Sequence, residues 1–236
     1  MKRQIIITDL TRFKAGNATV CTAGIDYNTG ECIRPLPYLA ASFCEKLQIL
    51  PGGILSGNFE FKKDRTGHHQ EDATYSDLKF HGACSSETFK EVLERSCFES
   101  LEMGFEITLP DGDRGVPADH PVTRSIVTIK AEPTSVQIIE DSFQPGKLKL
   151  HFTELSGRTY RYFPITDLGF HDFAQKHRND GKLDELNGWI SRQKEVFLRI
   201  GLGRAFAPPG KKLACWMQGN GIYTFPDAPP GIRKHA

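Results

Sequence analysis

Leu198-Arg-Ile-Gly-Leu-Gly-Arg-Ala-Phe206, followed after Lys211-Lys212 by Cys215-Trp-Met-Gln-Gly-Asn-Gly-Ile-Tyr-Thr-Phe-Pro-Asp227, reads as two strands joined by a Pro/Gly-containing turn. The pair sets aromatic, guanidinium and ammonium groups on one sheet. Such a surface stacks flat rings and neutralises phosphates, a binding chemistry rather than that of a catalytic centre.

The same grammar extends outward. Upstream, strands are predicted over 125–130, 135–139, 147–152, 159–163 and 195–200, with short helices over 168–178 and 183–190, the first capped by Thr166 or Asp167. The N-terminal part repeats the style, with strands at 5–7, 18–25 and 31–37 and a pair at 49–55 and 59–61. A polar loop follows, carrying Lys62-Lys63 and His68-His69. A helix starting at Ser85 or Ser86, with Phe89, Val92, Leu93 and Cys97 on one face, is expected to plug or span the first set of strands. Pro110 to Pro121 holds three prolines among acidic residues and divides the chain into 1–115 and 116–236. The fold class is therefore mainly β: two OB-like β-barrel halves, each with a short helical insertion. One hairpin echo supports the parallel. Gly30-Glu-Cys-Ile-Arg-Pro-Leu-Pro37 aligns with Gly157-Arg-Thr-Tyr-Arg-Tyr-Phe-Pro164, so Arg34 meets Arg161. Ile7-Thr-Asp-Leu10 and Ile165-Thr-Asp-Leu168 fall at a different offset and are taken as coincidence.

At this point the chain resembles the bacterial dual OB-containing domain family. The resemblance rests on Cys21-Thr-Ala-Gly-Ile-Asp26 with Gly30 to Pro37, and on Leu198 to Arg204 with Gln218-Gly-Asn-Gly-Ile-Tyr-Thr-Phe-Pro226. It implies a two-barrel, nucleic-acid-binding-like module, sometimes associated with bacterial defence or nucleic-acid-processing systems. Arg34, Gly201, Arg204, Gly221 and Tyr223 are the matching positions, and no catalytic residues come with them.

Composition narrows the function classes. No apolar run approaches the length of a membrane span, and the run after Met1-Lys-Arg is too short for a signal peptide, so a cytoplasmic protein is expected. The six cysteines lack any Cys-x-x-Cys pair and read as unpaired thiols, several of them buried. The formal net charge of +1 conceals an asymmetry. Residues 1–141 hold 15 Lys and Arg against 21 Asp and Glu, whereas 142–236 hold 15 against 8. A polyanionic partner would therefore meet the C-terminal part.

The candidate nucleic-acid contacts are Arg161, Arg199, Arg204, Lys211 and Lys212 for phosphates, with Phe206 and Tyr223 for stacking. The structural alternative buries Trp216, Ile222 and Phe225 in the barrel and uses the glycines at 201, 203, 219 and 221 for bulges or close backbone contacts. In Tyr160-Arg-Tyr-Phe163, strict alternation exposes either Tyr160 with Tyr162 or Arg161 with Phe163. His68, His69, His81 and Cys84 have zinc-ligand chemistry but no anchoring pair, and Asp111, Asp113, Asp119 and His120 sit in a turn-rich segment. Neither set is assigned a metal. No phosphate loop, nucleophile elbow or His-Glu-x-x-His occurs, and no cofactor is expected. The competing functions are non-catalytic binding of single-stranded nucleic acid, protein recognition as an accessory subunit and, third, an enzyme acting on nucleic acid through those carboxylates or the His/Cys loop.

Overall fold

The structure, a computed structural model, describes residues 2–11, 18–61, 67–210 and 212–233. Strands β1 (Lys2–Thr11), β2 (Thr19–Asp26), β3 (Cys32–Leu36), β5 (Gly53–Phe61) and β6 (Asp72–Ala83) close a ring in the order β1-β5-β6-β3-β2-β1. Every pairing in it is antiparallel except β3 with β6. Helix α1 (Ala41–Leu47) lies between its third and fourth strands, and the short β4 (Leu39–Ala40) adds to β2. This is the closure of an OB barrel. Ile5, Ile7, Ile33, Leu55 and Phe59 fill the interior. The period-2 alternation turns Ile6 and Ile25 to the outside, where they are nevertheless buried.

Helices α2 (Ser86–Arg95) and α3 (Leu101–Phe105), with the short strands β7 (Cys97–Phe98) and β8 (Gly115–Pro117), lead to the second set of strands. These are β9 (Ile126–Ala131), β10 (Gln137–Glu140), β11 (Leu148–Thr153), β12 (Thr159–Pro164), β13 (Glu195–Leu202) and β14 (Ala214–Phe225), with α4 (Leu168–Asn179) and α5 (Leu183–Ser191) before β13. β9 pairs with β13, β13 with β14 and β11 with β12, all antiparallel. The bridges Ala131–Glu154 and Ile165–Gly219, the latter parallel, complete the circuit β9-β13-β14-β12-β11-β9. It is the closure of the first barrel again, with α4 and α5 in the place of α1. The two Gly turns of the hairpin echo join equivalent strands, with φ +74° at Gly30 and +94° at Gly157. Asp167 caps α4 by accepting from Phe170 N at 3.0 Å. Among the described residues, no helix is long and apolar enough to cross a membrane.

Four local expectations change. The predicted pair 49–55 and 59–61 is the single strand β5, continuous because Gly57 lets Ser76 O approach where a Cβ would lie 3.1 Å away. β6 carries no strand pattern in the sequence, since its side chains beyond Ala73 are exposed or half-buried and Asp77, at φ +54°, breaks the alternation. α2 does not plug the first barrel. Its Phe89, Val92 and Leu93 pack outside, against Ile6 and Ile25 of one barrel and Phe197, Tyr223 and Phe225 of the other. In β12, Tyr160 and Phe163 are buried while Arg161 and Tyr162 are both exposed. The left-handed Tyr162 (φ +60°) and a bulge opposite Leu150–Phe152 shift the alternation by one.

The barrels share a seam of ion pairs and apolar contacts. Arg199, 1% exposed, donates from Nε and Nη2 to Asp9 Oδ2 at 3.0 and 2.8 Å, from Nη1 to Thr128 Oγ1 at 2.8 Å, and from Nη2 to Cys32 Sγ at 3.4 Å. Tyr223, equally buried, donates its hydroxyl to Thr8 O at 2.6 Å and meets the Phe89 ring edge-on. Burial, the largest single effect, disfavours the Arg199 charge, but the Asp9 carboxylate and the Cys32 sulfur with their hydrogen bonds together outweigh it and raise the guanidinium pKa. Burial pushes the Tyr223 hydroxyl pKa well up, and the Asp167 and Asp9 carboxylates add to it. Arg199 and Tyr223 are therefore seam residues and not, as the sequence suggests, contacts on an exposed strand face: both are 1% exposed and their polar atoms are engaged across the seam.

Candidate nucleic-acid interface

In an OB barrel, the face of the second and third strands and the loops after the first and fourth strands receive oligonucleotides. The loop after the fourth strand of the first barrel joins β5 to β6. Its last residues are consumed by the seam. Glu71 accepts from Ser125 N at 2.6 Å, Ser125 Oγ at 2.7 Å and Ile126 N at 3.1 Å, and His68 Nε2 meets Pro117 O at 3.1 Å. Because the Ser125 hydroxyl donates to Glu71, its contact with His69 Nδ1 at 3.1 Å makes that nitrogen the donor and leaves Nε2 unprotonated. Burial, with Arg34 and Arg204 nearby, lowers the His69 pKa to about 3. Lys62 and Lys63, on the same loop, lie outside the described residues.

The corresponding loop of the second barrel, between β13 and β14, faces outward. Arg204 is 64% exposed at its side chain and reaches back across the seam, with Nη2 at 3.4 Å from Tyr38 Oη and 4.0 Å from Asp72 Oδ2. Phe206 is 59% exposed, and its carbonyl accepts from Trp216 Nε1 at 2.9 Å, fixing the half-buried indole. Lys212 is exposed, and Lys211 lies outside the described residues. On β12, the third strand, Arg161 and Tyr162 are exposed. Arg114 ties the two regions together: its side chain donates to Tyr162 O, while its own carbonyl accepts from Met217 N at 2.9 Å. An open trough of about 990 Å3, lined by Asp113, Gly115, Lys212, Leu213 and Trp216, adjoins the loop. Of the seven expected contacts, the structure thus exposes Arg161, Arg204, Phe206 and Lys212, with Tyr162 exposed and Trp216 half-buried beside them.

Arg34, which aligns with Arg161 in the hairpin echo, has the opposite environment. It is buried against Asp72, with Nε 2.6 Å from Oδ1. Gly201 and Gly221 are packing residues, since a Cβ there would lie 2.2 Å from Asn220 Nδ2 and 2.7 Å from the Tyr223 ring. The burial of Arg199 had a signal in the sequence. From Val196 to Leu202 the strand offers no polar residue but Arg199, the pattern of a strand covered on both faces.

The residues with metal-ligand chemistry are dispersed. His81 is exposed beside Ser56, Cys84 lies in the seam cluster, and His68 and His69 dock on the second barrel. Asp113 accepts from Arg114 N and Gly115 N within its own turn. Among the described residues no three His, Cys, Asp or Glu side chains gather as a metal site. The cysteines are unpaired, with Cys44, Cys84 and Cys215 buried.

These features define a tandem OB protein whose two barrels are fused at a polar and aromatic seam. The chain belongs to the dual OB-containing domain family, whose sequence profile matches residues 7–222. No curated protein matches the sequence. Among solved structures, a chain from a replication protein A heterotrimer bound to ssDNA is similar, with a TM-score of 0.38 and 10% identity over 98% of this chain. The match covers 50% of that chain, so this protein spans about half its length.

Proposed function

We propose that the protein binds single-stranded nucleic acid, without catalysis of its own, through the second barrel. The observation that carries this reading is the position of its exposed cations and rings: Arg161 and Tyr162 on the third strand, and Arg204, Phe206 and Lys212 on the loop after the fourth. Lys211 is assigned to the same loop. An acidic docking part then gives way to a basic binding part near 115/116, within β8, whose pairing with β14 joins it to the second barrel, and the unpaired thiols suit a reducing, cytoplasmic setting.

Fluorescence anisotropy of labelled single-stranded DNA, duplex DNA and RNA, across a salt series, tests the proposal. Four cations meeting four phosphates give a log–log salt slope of about −3 for a single strand. Arg161→Ala with Lys212→Ala should reduce its magnitude by about 1.4, and Phe206→Ala should weaken binding by about 1–3 kcal/mol if one base stacks there. Absence of binding at low salt, alongside a protein partner retained from lysate after nuclease treatment, would replace this function with protein recognition.

A further inference from the structure

A second cavity, of about 360 Å3, opens at the seam away from the β13–β14 loop. Arg95 and Arg124 line it together with Cys32, Cys97, Phe98 and Ile126. Small-molecule pockets favour such junctions between barrels, and this volume lies at the lower end of their range.

The charges around the cavity are uneven. Arg95, exposed at the end of α2, donates to Tyr27 O at 2.7 Å and Asn28 O at 3.2 Å. Those carbonyls orient its guanidinium without neutralising it, and among the described residues it makes no ion pair. Arg124 lies over the Phe98 ring, 4.7 Å from its centroid; its Nη1 donates to Gly104 O at 2.7 Å and forms a half-exposed ion pair with Glu106 Oε1 at 3.1 Å, which leaves Nη2 without a protein acceptor among the described residues. The acidic groups of the lining are already occupied. Glu31 pairs with Arg3 at 2.5 Å, and the Glu71 carboxylate keeps its charge but has its oxygens taken by the Ser125 and Ile126 N–H groups and the Ser125 hydroxyl. Arg199, also in the lining, is balanced by Asp9.

What remains is two guanidiniums held in fixed orientations, with Phe98, Cys97 and Ile126 forming an apolar wall. Oriented guanidiniums suit phosphate oxygens, which they can bind bidentately at little further entropic cost. The wall suits a flat ring. We infer that this cavity binds a free nucleoside monophosphate, its phosphate on Arg95 and Arg124 and its base against Phe98 and Ile126. The site is separate from the proposed strand-binding face and stands or falls independently of it.

Thermal unfolding of the full chain with AMP, GMP, CMP and UMP, beside the matching nucleosides and inorganic phosphate, tests the assignment. At a hundred times Kd, at least one monophosphate should raise Tm by about 5–10 °C, while nucleosides and inorganic phosphate raise it far less. Arg95→Gln combined with Arg124→Gln keeps side-chain donors for the carbonyls but removes both charges, and should weaken nucleotide binding at least tenfold. Thr123→Trp, at an exposed position in the lining, fills the cavity while keeping both guanidiniums, although it removes the Thr123 hydroxyl bond at 2.7 Å to the Glu106 oxygen that pairs with Arg124, and should do the same. Oligonucleotide anisotropy should be unchanged in both variants. The inference is overturned by no shift with any monophosphate, by an equal shift with inorganic phosphate, or by undiminished nucleotide binding in the Thr123 variant.

Discussion

Replacing Arg199 with methionine removes the guanidinium that joins the barrels and leaves Asp9 buried, with only the Thr8 hydroxyl at 2.7 Å on Oδ2 and no partner on Oδ1. Both members of the pair are within 2% of complete burial, so solvent offers no compensating screening. Breaking such a pair on one side costs about 3–5 kcal/mol, a large share of a total stability of about 5–15 kcal/mol. Removing both charges, as Asp9→Ala with Arg199→Met, leaves no orphan, and the double variant should recover about 1–3 kcal/mol relative to the sum of the single losses. Urea unfolding measures this with two probes. Trp189 and Trp216, the only tryptophans, both belong to the second half, so their fluorescence reports that barrel, while far-UV circular dichroism reports both. The wild-type transitions should coincide, and Arg199→Met should lower both midpoints. A loss below 1 kcal/mol for the single variant, or strict additivity in the double, would refute the account of the seam.

Gly201→Ala drives a Cβ into the Asn220 amide, which also accepts from Thr166 Oγ1 at 2.9 Å, and should cost about 1–3 kcal/mol in chemical denaturation. His69 is expected to make stability fall on acidification. The unfolded imidazole takes up its proton near 6.5, whereas the folded one resists until about 3. Its contribution is complete above pH 6.5 and is lost progressively as pH drops toward 3. His69→Gln should flatten the fall of the urea midpoint across that window, and an unchanged slope would contradict the lowered His69 pKa.

The strands of the second half were legible because turn glycines and Pro/Asn signals bracket alternating apolar runs, and the structure places β9 through β14 close to the expected boundaries. The seam was not legible to the same degree. Arg199 finds its carboxylate 190 positions away in β1, a pairing that no local spacing encodes. Tyr223 looks amphipathic in isolation and is buried where α2 returns Phe89 over it and Ile6 and the Thr8 carbonyl arrive from the first barrel. The two Ile-Thr-Asp-Leu segments illustrate the same limit. They occupy non-equivalent places in the barrels, yet Thr11 forms a bridge with Asp167, bringing the segments together. Asp9 anchors Arg199, and Asp167 accepts from Ile222 N at 3.1 Å. Burial raises the Asp167 pKa to about 7, partly offset by its backbone donors. At the candidate interface, Arg204, Phe206 and Lys212 were readable as loop residues, whereas the exposure of Tyr162 beside Arg161 depended on a bulge and one left-handed residue.

The most direct test of the central claim, that the first barrel docks while the second binds, is photo-crosslinking of a short single-stranded oligonucleotide followed by peptide mapping. The account predicts adducts within 159–164 and 203–217, centred on Tyr162, Phe206 and Trp216, with none on seam peptides containing Arg199 or Tyr223. Adducts confined to residues 2–83 would contradict it.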